Sequence, residues 1–164
     1  NSSDILNLRS PYIEKSIFES CKIKKTIVEK DEKEKGIRKI LNLGHTFAHA
    51  YEAALGYSKK LNHGEAVILG ITSALRFSLN SKLIKFKDFN KIINNINKMK
   101  LPSNIKKYFT IHDLNSILNF MKKDKKNVSK NINLILLKEI GTSIIDNKYD
   151  VSKIRKFLQK ELVN

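Results

Sequence analysis

A chain of 164 residues, 41% of them hydrophobic, is long enough to bury one core, and no Gly-rich or Pro-rich linker divides it, so the composition reads as a single domain. No apolar run approaches the roughly 20 residues needed to cross a bilayer, and the N-terminus lacks the apolar centre of a secretory signal, so a soluble, cytoplasmic protein is expected. The single cysteine, Cys21, excludes a disulfide framework and a thiolate metal cluster, and only four of the 32 basic residues behind the net charge of +16 are arginine, the residue suited to base readout and bidentate phosphate contacts; neither a nucleic acid nor a membrane is expected as a partner.

In chain order the signals are mostly helical. The stretch SPYIEKSIFESCKIKKTIVEKD carries Ile13, Ile17, Phe18, Cys21, Ile27 and Val28 at mixed three-to-four spacing, which predicts a long amphipathic helix ending near Gly36. A second helix is predicted from Ile37 through Leu55, stopped at Gly56 and Tyr57. HGEAVILGITSALRFSLNSKL is apolar nearly all round and reads as a central buried helix. KDFNKIINNINKMK is a further helix closed by Pro102, and TIHDLNSILNFMKKDKK is another, capped by Thr110 or Asp113. The pattern then changes: NINLILLKEIGTSIID is short, β-branched and centred on a glycine, which predicts two brief strands. A final helix, DVSKIRKFLQKEL, starts at a cap from Asp150 or Ser152. The fold class is therefore mainly α, with two short strands near the C-terminus.

Chemistry concentrates in one place. His45, His49 and His63 are three of the four histidines and fall within 19 residues. On a helix, positions 45 and 49 lie one above the other, and a tight hairpin would bring His63, at the start of the next helix, back toward them. On residue type alone the three could share a zinc ion, or they could be structural histidines on a packed face. Glu52 and Glu65 are possible carboxylate ligands or hydrogen-bond partners of ligands, or simply parts of a solvated face. Arg38, Asn42, His45 and His49 are spaced four, three and four, which on one continuous helix forms a polar stripe among Ile40, Leu41, Leu43 and Phe47. An arginine, an amide and two imidazoles together suit a metal and an anionic oxygen ligand.

From Ile13 to Gly141 the chain resembles the C-terminal domain of the 3-dehydroquinate synthase family, among the sugar phosphate cyclases. The residues that carry the resemblance are DEKEKGIRKILNLGHTF, HGEAV and DKKN, in that order. The resemblance implies a helical domain over residues 1–164 that binds metal and substrate, with the NAD-binding N-terminal domain of the family absent from this chain. It implies that His45 and His63 are ligands of Zn2+ or Co2+, and that His49 faces the substrate instead of the metal. Lys24, Arg38 and Asn42 match catalytic, substrate-contacting positions, and the DKK element offers a further lysine at Lys125 or Lys126. Two small departures occur: Ala48 stands where the family usually has glycine, and the loop before His63 is one residue longer. Neither removes a reacting group.

The activity implied is conversion of 3-deoxy-D-arabino-heptulosonate 7-phosphate to 3-dehydroquinate and phosphate, a step of the shikimate pathway to aromatic amino acids. NAD would oxidise a ring hydroxyl, phosphate would leave by elimination from the acidified neighbour, hydride would return, and ring opening with an aldol step would close the carbocycle. Several fixed cations beside a metal suit a substrate bearing a carboxylate and a phosphate. The family's dinucleotide turn has no counterpart among the six glycines here, and its third metal ligand, a glutamate upstream, is also missing. The chain is therefore expected to be a C-terminal fragment, inactive alone, of an enzyme that is a homodimer when complete. The alternatives are another sugar phosphate cyclase, such as 2-deoxy-scyllo-inosose synthase, and more distantly a basic helical module that binds nucleic acid.

Overall fold

The computed structural model describes residues 1–123 and 131–163, which divide into two compact units, Asn1–Leu41 and Asn42–Asn164. In the first unit a short helix α1 (Ser2–Leu6) precedes the 19-residue helix α2 (Tyr12–Lys30). The predicted amphipathic helix is thus present, but it stops at Lys30, six residues before Gly36. Asp31 ends it. Its carboxylate accepts hydrogen bonds from the backbone N–H groups of Lys35, Gly36 and Arg38 at 3.0, 2.7 and 3.0 Å. An aspartate that gathers local amides in this way competes with the helical ladder. The same three bonds hold its pKa below the ordinary carboxylate value, the Gly36 bond contributing most. Arg38 adds a side-chain bond to the Glu32 carbonyl.

The predicted helix from Ile37 to Leu55 is not one helix. A 3-10 helix covers Ile37–Asn42, and helix α3 begins only at His45 and runs to Ala54. Between them Gly44 takes a left-handed conformation, φ +79°, that a residue with a Cβ rarely adopts.

In the second unit α3 packs on α4 (His63–Asn80), the predicted central helix, nine of whose residues are buried. The Glu65 carboxylate accepts the Asn62 N–H at 2.9 Å and so caps the start of α4. Two glycines let α3 and α4 approach. A Cβ on Gly70 would collide with the Gly44 carbonyl oxygen and stand 2.9 Å from the Ala48 nitrogen, and one on Gly44 would run into the backbone of Gly70 and Ile71.

Helices α5 (Phe86–Lys98) and α6 (Leu114–Lys123) follow, the latter entered through a turn in which Asp113 accepts the Thr110 N–H at 2.7 Å. Strands β1 (Asn131–Glu139) and β2 (Thr142–Asp150) form an antiparallel hairpin, at nine residues each longer than the brief strands expected. Helix α7 (Val151–Val163) closes the chain, with Asp150 accepting the Ser152 N–H at 2.7 Å.

The core joins Phe47 and Tyr51 of α3, Phe77 of α4, Ile117, Leu118 and Met121 of α6, the inward residues of β1, and Ile154, Phe157 and Leu158 of α7. Phe157 sits edge-on between Phe47 and Phe77, with ring centroids 6.2 and 5.1 Å away. Two polar ties fix the hairpin to this core. Ser78 of α4 accepts the Leu137 N–H at 3.2 Å, and Thr46 of α3 donates to the Asn133 carbonyl at 3.3 Å. The start of α3 is thereby held from two sides, by Gly70 and by β1. Among the described residues no helix is long and apolar enough to cross a membrane.

Candidate metal and substrate site

The histidine cluster forms where the start of α4 meets the face of α3 that carries His45 and His49. His45 is the first residue of α3, His49 lies one turn later, and His63 is the first residue of α4. Their ring centroids form a triangle with sides of 5.5 Å (His45 to His49), 6.3 Å (His45 to His63) and 6.5 Å (His49 to His63). His63 thus lies beside the pair, although the connection from α3 to α4, residues 55–62, is longer than the tight hairpin expected from the sequence. His49 and His63 are exposed and His45 is half-buried, so the cluster opens to solvent.

Hydrogen bonds distinguish the three rings more than distances do. His63 Nδ1 lies 3.0 Å from Glu52 Oε1, and His45 Nδ1 lies 3.4 Å from the Leu43 carbonyl oxygen. Both acceptors favour a proton on Nδ1, which assigns any lone-pair donation to Nε2. That is the arrangement in which a metal-binding imidazole is normally held, with its second nitrogen on a carboxylate or carbonyl.

The donor chemistry fits zinc or cobalt, as part of a ligand set. A ring bound through nitrogen keeps its centroid about 3 Å from the ion, so two ligands at a tetrahedral angle have centroids about 5 Å apart. The observed separations are near this and somewhat wider. Among the described residues, however, no three His, Cys, Asp or Glu side chains are grouped to hold a metal by themselves.

The remaining expected residues are placed as follows. Asn42 ends the 3-10 helix and opens the second unit. The stripe expected for Arg38, Asn42, His45 and His49 needs one continuous helix, and the break at Gly44 removes that geometry. Lys24, exposed on α2, and Arg38, half-buried beside Asp31, belong to the first unit. Lys125 and Lys126 lie outside the described residues. Glu65 caps α4, whereas Glu52, three residues after His49 on the same face of α3, reaches His63. Gly44 and Gly70 were not singled out in the sequence; a glycine directly before a candidate ligand was the available sign of the first, and nothing in the apolar text of α4 marks the second.

Residues 1–127 match the family described as 3-dehydroquinate synthase C-terminal. The chain is 54% identical over 162 residues to the 3-dehydroquinate synthase of Pelagibacter ubique (strain HTCC1062), covering 99% of this chain and 44% of that protein. It is 36% identical over 154 residues to the 3-dehydroquinate synthase of Rhodopseudomonas palustris (strain TIE-1), covering 91% of this chain and 40% of that one. The chain thus spans less than half the length of these curated relatives. In fold it is similar to a crystal structure of 2-deoxy-scyllo-inosose synthase complexed with carbaglucose-6-phosphate, NAD+ and Co2+, with a TM-score of 0.61 at 23% identity over 77% of this chain and 35% of that one.

Proposed function

The chain belongs to the 3-dehydroquinate synthase family, and from that premise we propose that it forms the metal- and substrate-binding part of an enzyme converting 3-deoxy-D-arabino-heptulosonate 7-phosphate to 3-dehydroquinate and phosphate. The observation that carries this reading is the meeting of His45, His49 and His63 at the adjoining ends of α3 and α4, with the Nδ1 atoms of His45 and His63 on a carbonyl and a carboxylate.

In this reading His45 and His63 hold Zn2+ or Co2+ through Nε2, alongside a ligand from elsewhere in the complete enzyme. When bound, the metal supplies Lewis-acid polarisation of a substrate oxygen, and NAD, carried by an N-terminal domain, supplies the hydride acceptor. His49, exposed beside both ligands, binds the phosphate or moves a proton to it as it leaves. Asn42 donates or accepts a hydrogen bond at a substrate hydroxyl. Lys24 and Arg38, together with Lys125 or Lys126, neutralise the carboxylate and phosphate of the substrate, an assignment that rests on their match to the family's positions.

The test joins this chain to the N-terminal portion of the Pelagibacter ubique relative and follows inorganic phosphate release with NAD and zinc present. Release from the seven-carbon phosphorylated acid, lost in His45→Ala and in His63→Ala, is the expected result. Release from a hexose 6-phosphate in place of that acid would move the chain to the related cyclase, and turnover by the 164-residue chain alone would refute the division of labour between two domains.

A further inference from the structure

Glu52 has a position that the reaction outlined above does not use. It follows His45 by seven residues and His49 by three, so all three share one face of α3. Its side chain is only 13% exposed, whereas that of its partner His63 is 65% exposed. The carboxylate is therefore the fixed member of the pair and the imidazole the member free to turn. A carboxylate largely withdrawn from water gains from a ring N–H donor, and an exposed ring gains an orientation it would otherwise lack.

We infer that Glu52 is a positioning residue: by accepting the His63 Nδ1–H it fixes the tautomer and the direction of that ring, so that Nε2 is presented to a divalent transition metal ion shared with His45. This inference rests on the metal reading proposed above, and adds to it the group that sets one ligand. It also separates two roles open to Glu52. A carboxylate that itself ligated the ion would not tolerate conversion to an amide, whereas a hydrogen-bond acceptor would, because the Gln carbonyl oxygen accepts the same N–H.

The experiment uses the 164-residue chain and two measurements, with circular dichroism as the check that each variant is folded. The first is the nitrogen and carbon NMR spectrum of the His63 ring without metal, at about pH 8, where an ordinary imidazole is neutral. The wild type and Glu52→Gln are expected to show the Nδ1–H tautomer, and Glu52→Ala a mixture or the Nε2–H form. The second is a cobalt titration followed by the visible absorption of the ion. Glu52→Ala is expected to weaken binding by about 10–100-fold, the range seen when such partners are removed, and Glu52→Gln to recover most of it. A His63 spectrum unchanged by Glu52→Ala overturns the positioning role. Loss of tautomer bias combined with cobalt affinity that survives His63→Ala overturns the metal reading beneath it, which is a distinguishable failure. Weakening by Glu52→Gln as severe as by Glu52→Ala overturns positioning in favour of direct ligation.

Discussion

The carbonyl of Gly44 lies against the Cα of Gly70, with no room for a Cβ on the latter. This contact sets the distance between α3 and α4, and His45 is the residue next to Gly44. Backbone approach and the placement of His45 are therefore the same structural event. Gly70→Ala is expected to destabilise the fold by about 1–3 kcal/mol, as overpacking of a tight interior does. Urea unfolding checks the stability, and a cobalt titration of the folded variant is expected to show weaker binding, because His45 and His63 separate as the helices move apart. Wild-type stability in Gly70→Ala would show that the helices can part at no cost.

Tyr51 is fully buried, and its hydroxyl is 2.8 Å from Ser73 Oγ, tying α3 to α4 a second time. Burial raises the Tyr51 pKa far above the ordinary phenol value, so the hydroxyl stays protonated throughout the range in which the protein is handled. Tyr51→Phe leaves Ser73 without that partner and is expected to cost about 1–2 kcal/mol. In a double-mutant cycle, adding Ser73→Ala should cost less than the two single changes together, since the orphaned hydroxyl is then gone. Additive costs in denaturant unfolding would count against the pair.

Much of the fold was legible because hydrophobic period survives packing. The apolar helix after His63, the helix after Asp150 and a β-branched hairpin about Gly141 are all present, although the hairpin is longer than expected and the helix expected from Thr110 opens as a 3-10 helix, Ile111–Asp113, before α6. Family membership was legible too, since DEKEKGIRKILNLGHTF and HGEAV are specific. The failures have local causes. The break at Gly44 in the helix expected from Ile37 to Leu55 is hidden in the sequence because apolar residues continue on both sides of the glycine, whose left-handed turn and close contact with Gly70 belong to the tertiary structure. Helix α2 ends early because the Asp31 side chain takes three amides, a competition that periodicity does not register. Glu52 and Glu65 look alike in the sequence. Glu65, three residues after Asn62, is taken up in capping α4, whereas Glu52 lies on the part of α3 that His63 reaches.

Asp31 gives a prediction for the first unit. Its pKa is lowered in the folded chain, so its contribution is present above the unfolded value, about 3.9, and is lost as pH falls through the lowered folded value. Asp31→Asn removes the charge at every pH and should speed amide hydrogen exchange at Lys35, Gly36 and Arg38 near neutrality. Unchanged exchange at Gly36, whose bond is shortest at 2.7 Å, would count against Asp31 as the organiser of this turn.

Glu161 gives the opposite sign. Burial raises its carboxyl pKa despite Arg76, 3.4 Å away, and the more distant Lys160 and Lys106. A raised acid is a liability once ionised: its cost is absent below the unfolded value, about 4.3, and grows as pH rises through the folded value. Glu161→Gln should therefore match the wild type near pH 4 and become relatively more stable by about pH 6. Thermal melts across this range check the sign. A relative loss of stability on raising the pH would mean that the Arg76 pair outweighs desolvation.

The central claim is that His45 and His63, and not His49, are the metal ligands. Calorimetric titration of the chain with zinc tests it most directly. Two imidazoles without a third grouped ligand among the described residues should give weak binding, lost in His45→Ala and in His63→Ala and retained in His49→Ala. Tight, stoichiometric binding that survives His45→Ala, or binding lost in His49→Ala while His63→Ala retains it, would contradict the assignment.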